Sequence, residues 1–331
     1  MSFFARLGTA VAAVVVAATV AGALFWYAVA GDRSHPQTSE QLVIQTGTTF
    51  DEIARQLVAG GVIGNTLTFR ILARLRDEDA AVRAGEYRFG PHVTQSEVLH
   101  ALVTGGAQVA AWVTIPEGFT AEQIADRLQS DGFGSSAALR RDFVQETLLV
   151  HGTRTKSLEG FLFPSTYLMP LAAAPEQIAA LLTAQFLKEL PRDAASRARA
   201  LHVSVTQAVT VASLVEREAK SQGDRPKIAA VIYNRLRLGM PLQVDASIEY
   251  ALPQHKSVLS FADLRIDSPY NSYVHAGLPP TPIANPGLAS LEAALHPAKS
   301  ENLYYVYCGN GRHVFAKTLA EHQANVARCL Q

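Results

Sequence analysis

The chain has 331 residues, 48% of them hydrophobic, and its 29 Lys+Arg balance 29 Asp+Glu to a formal net charge of zero. That length supports two or three domains with a sizeable core. The even balance excludes the basic footprint that nucleic-acid binding needs, and leaves a neutral polymer such as a glycan open as a ligand.

From Leu7 to Ala30 no residue is charged. The run exceeds the roughly 20 apolar residues of a spanning helix, and Phe25, Trp26 and Tyr27 near its end suit an aromatic belt. Ala28-Val29-Ala30 has the form of a signal-peptide cleavage site, yet a cleavable apolar core is usually only ~7–15 residues long. The expectation is a cytoplasmic tail over 1–6, an uncleaved transmembrane helix over 7–30 and a linker over 31–41. Arg6 and the α-amino group then place the rest of the chain outside the cytoplasm, in the periplasm beside the inner membrane.

Residues 42–63 (LVIQTGTTFDEIARQLVAGGVI) predict a strand, a Gly turn and a helix that stops at Gly60-Gly61. A second helix follows around 66–76, then AGEYRF (84–89) as a returning strand. This strand–helix–helix–strand order over 42–105 resembles a LysM-like module, a small fold that holds N-acetylglucosamine polymers; a packing unit without ligand is the alternative. The stretch AWVTIPEGFTAEQIADRLQS (111–130) repeats the strand, turn and amphipathic helix, with Thr120 and Gln123 as a capping box. Residues 106–203 therefore read as a connecting α+β region.

The densest signals lie in 204–331. Ser204 and Gln207 form a capping box that opens a helix, a second helix spans about 225–238, and a third starts behind Asp245. SPYNSYVHAGLPPTPIANPG (268–287) holds too many Gly and Pro for regular structure, and so long a loop is usually functional. NLYYVYCGNGRHVF (302–315) predicts a β-hairpin across Gly309-Asn310-Gly311, followed by a helix over about 318–330. Cys308 and Cys329 match no zinc spacing and read either as one disulfide or as two buried thiols. His296, His313 and His322 lack metal-ligand spacing, so no metal and no cofactor is expected.

Within VASLVEREAK (211–220) the two glutamates are two residues apart. At ~100° per residue they lie roughly 200° apart, which predicts that they do not share one site. Apolar residues cover most of the helix, leaving Thr210, Ser213, Arg217 and Lys220 as its expected solvated face, and neither glutamate falls there. A carboxyl held among aliphatic side chains has its charged form disfavoured and becomes a general acid near neutrality. On the pattern alone either glutamate fits; the other would hold a loop or pair with an arginine such as Arg235.

VASLVEREAK, VIYNRLRLGMPLQVDASIEYAL, SPYNSYVHAGLPPTPIANPG, LEAALHPAKSENLYYVY and HVFAKTLAEHQANV occur in this order. The set resembles the endolytic murein transglycosylases of the MltG (YceG-like) family. The resemblance implies an α+β protein: anchor, LysM-like module, then a mixed α/β catalytic region with its acid on a buried helix. It implies Glu218 as the catalytic acid, cleaving the β-1,4 bond between N-acetylmuramic acid and N-acetylglucosamine without water to leave 1,6-anhydro ends. Related lytic transglycosylases carry Ser or Thr after this glutamate, where the present chain has Ala219. Glu216, Asn234, Arg235, Gln243, Asp245, Tyr270 and Asn271 are the candidate substrate-binding residues, with Asp245 the nearest second acid. The implied partners are peptidoglycan strands and membrane synthases. A wall-binding scaffold or a muramidase hydrolase are the rival readings.

Overall fold

The computed structural model describes residues 15–20, 22, 23, 40–90, 92–252, 254, 256 and 259–329. The expected tail over 1–6, most of the expected anchor over 7–30 and the linker up to residue 39 lie outside the described residues. Among the described residues no single helix is long and apolar enough to cross a membrane. The chain forms two compact units, one of residues up to 113 together with 167–172, the other of residues 114–166 and 173 onward.

In the first unit β1 (Glu40–Ile44) leads to α1 (Phe50–Ala59), α2 (Thr66–Arg76), β2 (Gly85–Phe89) and α3 (Gln95–Thr104). Thr49 starts α1 because its hydroxyl accepts from the Glu52 N–H while the Glu52 carboxylate accepts from the Thr49 N–H, so two otherwise orphaned donors are satisfied. β1 and β2 pair antiparallel from Glu40↔Phe89 to Ile44↔Gly85. They belong to a sheet of order β1-β2-β3-β6, with β3 at Gln108–Thr114 and β6 at Thr166–Pro170. Ile44, Leu57, Phe69, Leu72, Tyr87 and Leu99 fill the core beneath it.

The second unit starts from α4 (Ala121–Ser130) and α5 (Ser136–Gln145), a helix pair that repeats the strand–helix–helix–strand order between β3 and β6. The short pair β4 (Leu149–Val150) and β5 (Thr153–Arg154) follows α5, and α6 (Pro175–Glu189) and α7 (Ala194–Ala200) follow β6. The central element is α8, Val205–Glu218, capped by Ser204 and Gln207 as the box predicts. It packs against α9 (Arg225–Arg237), α10 (Asp245–Ala251) and α11 (Leu288–Leu295).

The predicted solvated face of α8 is half wrong. Thr210 and Ser213 are 5% and 0% exposed, because the 268–287 loop lies over them: Ile283 N–H donates to Ser213 Oγ, which donates to the Thr210 carbonyl. A helix layered on every side has no outer stripe for its hydroxyls, which turn back to the helix's own carbonyls instead.

That loop contains no helix or strand between residues 268 and 287. Asn271 Nδ2 fastens its start to the carbonyls of Leu264 and Ile266. Asn285 fastens its end, donating to the Phe119 carbonyl and accepting from Leu162 N–H. Gly160 is required beneath it: its φ is +88°, and a Cβ there would meet Pro282 at 2.4 Å. The chain closes with the hairpin β7 (Tyr304–Tyr307) and β8 (His313–Ala316), then α12 (Leu319–Cys329). Cys308 and Cys329 are disulfide-bonded, tying the hairpin to α12.

Candidate active site

Helix α8 ends at Glu218 on the wall of a cleft of about 590 Å³. The strand-to-helix turn Glu117-Gly118-Phe119 forms one side, and Asp245 and Glu249 of α10 form another. Lys220, Tyr307 and His313 complete the rim. The prediction that the two glutamates of α8 cannot share a site fails here, since both line this cleft. Glu218 is the last residue of the helix, and the cleft wraps that end so that it reaches both side chains.

The two carboxyls are nevertheless held differently. Glu216 Oε1 pairs with Arg225 Nη2 at 3.1 Å, and its Oε2 accepts from the Gly287 N–H at 3.1 Å. It therefore anchors the end of the long loop, and its arginine is Arg225, not the expected Arg235. Among the described residues Glu218 has no ion-pair partner. Its Oε2 accepts from the Tyr305 hydroxyl at 3.1 Å. Burial pushes the Glu218 carboxyl up to about 7; Asp245 and Glu249 push the same way, and the Tyr305 hydrogen bond and Lys220 oppose them. Ala219 brings no hydroxyl, so Tyr305 supplies the one beside this acid.

The other candidates separate into two groups. Asp245 lies exposed in the cleft, with the Tyr273 hydroxyl in a short hydrogen bond to its Oδ1. Arg235 is 7% exposed and props up the Asp245 segment from below. It donates to the carbonyls of Leu303, Pro241 and Leu242 and to Gln243 Oε1 at 3.1 Å. Gln243 is exposed with φ +54°, its N–H bonded to the Ser272 carbonyl. Asn234 opens on a different cavity, donating to the carbonyls of Ser300 and Asn302. Tyr270 bonds Thr281 and packs on Tyr250, and Asn271 is fully buried in its turn. Of these six candidates only Asp245 lines the Glu218 cleft.

Five acids and tyrosines of this unit escaped the sequence reading. Glu117 lines the cleft, where burial first and then Glu216 raise its pKa. Tyr305 and Tyr307 were legible in principle, since alternate residues of the YYVY strand share a face. Tyr273 sits in an irregular loop with no such signal. Glu159 lies behind the cleft, 5% exposed, accepting from Ala121 N–H, Asn285 Nδ2 and the Tyr250 hydroxyl; burial holds it at about 7. Among the described residues no group of three or more His, Cys, Asp or Glu side chains is placed to hold a metal ion.

Comparison with known proteins identifies the family. The family described as YceG-like matches residues 42–328. An endolytic murein transglycosylase of Bacillus subtilis is 34% identical over 305 residues, covering 86% of this chain and 83% of that protein. One of Streptococcus pneumoniae D39 is 32% identical over 316 residues, covering 86% of this chain and 57% of the longer relative. A crystal structure of a yceG-like protein of Listeria monocytogenes superposes with a TM-score of 0.61 at 31% identity, over 87% of this chain and 99% of that one.

Proposed function

Because the chain belongs to the YceG-like family, we propose that it works on peptidoglycan through Glu218 as its single acid–base group. The protein is a lytic transglycosylase acting on murein, like the curated relatives that match 86% of its length. The observation that carries the assignment is the Glu218 carboxyl, half-buried at the cleft wall, with no ion-pair partner among the described residues and pushed up to about 7 by desolvation. Such a group is substantially protonated at neutral pH, as the first step demands.

In that step Glu218 donates its proton to the oxygen linking N-acetylmuramic acid to N-acetylglucosamine, and the C1–O bond breaks. The carboxylate that remains accepts the proton of the muramoyl C6 hydroxyl as that oxygen bonds to C1, closing the 1,6-anhydro ring. No water is consumed, and Glu218 is protonated again at the end. The substrate's own 2-acetamido group can assist at C1, which is why one carboxyl is enough. Asp245, exposed opposite the acid, contributes negative charge beside the developing oxocarbenium ion.

The test is mass spectrometry of glycan strands digested by the full chain and by Glu218→Gln. Anhydro-muramoyl ends from the wild type alone support the assignment. Reducing ends would instead make it a hydrolase, and anhydro ends from both proteins would move the acid to Glu216.

Three finer points belong to the same reading. Residues 7–30 anchor the chain in the inner membrane with the catalytic region in the periplasm, on the strength of their uncharged length; release of the protein by alkaline carbonate would remove that point. Residues 42–105 hold glycan as a LysM-like module, supported by two helices enclosed between the antiparallel β1 and β2. Co-sedimentation of the isolated module with insoluble murein tests it. Placement beside synthases limits strand length, and in-cell crosslinking that recovers no synthase would count against it.

A further inference from the structure

The Glu218 carboxyl has two oxygens, and a single-residue acid–base mechanism works best if one of them both gives and takes the proton. We propose that Tyr305 is a positioning residue that fixes this: its hydroxyl occupies Glu218 Oε2 and leaves Oε1 as the working oxygen. This inference rests on the transglycosylase reading above.

The geometry is a phenol with one hydrogen-bond partner among the described residues. Tyr305 lies in β7, paired with Phe315 of β8, and its ring sits edge-on to His313 at 5.7 Å. Among the described residues its hydroxyl has one hydrogen-bond partner, Glu218 Oε2 at 3.1 Å. Tyr305 is half-buried, and with Glu218 Oε2 the one acceptor its O–H reaches among the described residues, it donates there. An oxygen accepting that hydrogen is the poorer place for the carboxyl's own proton, which is left on Oε1. After proton transfer the same donor stabilises the carboxylate.

The phenol cannot itself take over as the acid. Burial, then the neighbouring Glu218, hold its pKa far above the ordinary tyrosine value, so it stays protonated throughout. Arg235 of α9 stands behind it as a buried cation that acts on Tyr305 and Tyr273. The remaining charges that act on Glu218 are Asp245 and Glu249 from α10 and Lys220 from the segment after α8. Glu117, Glu216, Arg217 and His313 line the same cleft from its other walls. None of these donates a hydrogen bond to the acid, so among the described residues Tyr305 alone selects between its oxygens.

The experiment compares the full-length wild type, Tyr305→Phe, and protein carrying 3,5-difluorotyrosine at 305, a stronger donor of the same shape. Turnover is followed against pH, and the Glu218 carboxyl is titrated by carbon-13 NMR, which needs no turnover. Tyr305→Phe is expected to lower kcat about tenfold to a hundredfold with KM within about twofold. Losing the donor destabilises the carboxylate, so both the alkaline limb of the activity profile and the NMR titration should move up by about one pH unit. Difluorotyrosine should move both down. Unchanged titration and kcat in Tyr305→Phe would overturn the proposal, as would a rise in KM alone. If Tyr305→Phe does not fold, the difluorotyrosine protein decides by the direction of its titration. A Glu218 titration that responds to Tyr305 in a protein releasing no anhydro ends would uphold the contact and sink the transglycosylase reading, so the two failures are distinguishable.

Discussion

Arg225 Nη2 stands 3.1 Å from Glu216 Oε1, with the two side chains 11% and 7% exposed, and that pair assigns different tasks to glutamates two residues apart. Glu216 is a structural anion with a matched cation; Glu218 keeps an unmatched carboxyl. Glu216→Gln leaves a buried guanidinium without its partner and is expected to cost about 3 kcal/mol of stability. Glu218→Gln breaks no ion pair and is expected to change stability at pH 7 by less than about 1 kcal/mol while removing turnover. Urea denaturation of the two variants side by side checks this, and equal losses would contradict the division.

The pH dependence follows from two raised carboxyls. Burial holds Glu218 and Glu159 at about 7 against an ordinary value of 4.5. The folded protein then binds more protons than the unfolded chain between those values. Their contribution to stability is whole below the lower value and is lost as pH rises through the higher. The urea midpoint is expected to fall between pH 5 and pH 8, with a shallower fall in Glu218→Gln. Activity should decline above pH 7 in parallel, since the first step needs the protonated acid. A flat midpoint across that range would show that neither group is raised.

Glu159 joins three segments through one carboxyl: the first turn of α4, the end of the long loop at Asn285, and α10 through Tyr250. Glu159→Ala strands those donors in the interior, each unsatisfied group costing about 1–3 kcal/mol. The expected loss is about 3 kcal/mol, with Glu159→Gln recovering part of it because an amide oxygen still accepts. Denaturation midpoints read the effect, and a loss below about 0.5 kcal/mol would mean water replaces the carboxylate there.

The Cys308–Cys329 disulfide spans 21 residues and restrains the hairpin that presents Tyr305 and Tyr307. Converting both cysteines to serine is expected to lower stability by about 3 kcal/mol, the scale for a loop of that length. Thermal unfolding with and without reductant gives the same comparison in the unaltered chain. Identical curves would show that α12 holds the hairpin without the bond.

Local signals made much of the fold legible. Capping boxes at Thr120/Gln123 and Ser204/Gln207 open α4 and α8 as their spacing predicts. The Gly-Asn-Gly turn does join β7 to β8, and the Pro-rich stretch 268–287 is a long irregular loop. These features depend on residues within a turn or two of one another, so the order of residues is sufficient to specify them.

The site was legible only in its centre. That Glu216 and Glu218 avoid the solvent could be read from the apolar neighbours on one helix. Which of them has an arginine, and that both reach one cleft, depended on where α8 stops and on what Arg225, Gly287 and Tyr305 bring from 9 to 87 positions away in the chain. The burial of Ser213 under Ile283 has the same origin, across 70 positions. Periodicity reports the faces of an element but not what covers them. Residue order alone specifies a charge-neutral α+β chain with a carboxyl-bearing apolar helix. Packing decided which carboxyl is paired and which is left to hold a proton, because desolvation and hydrogen bonding act through space and not along the chain.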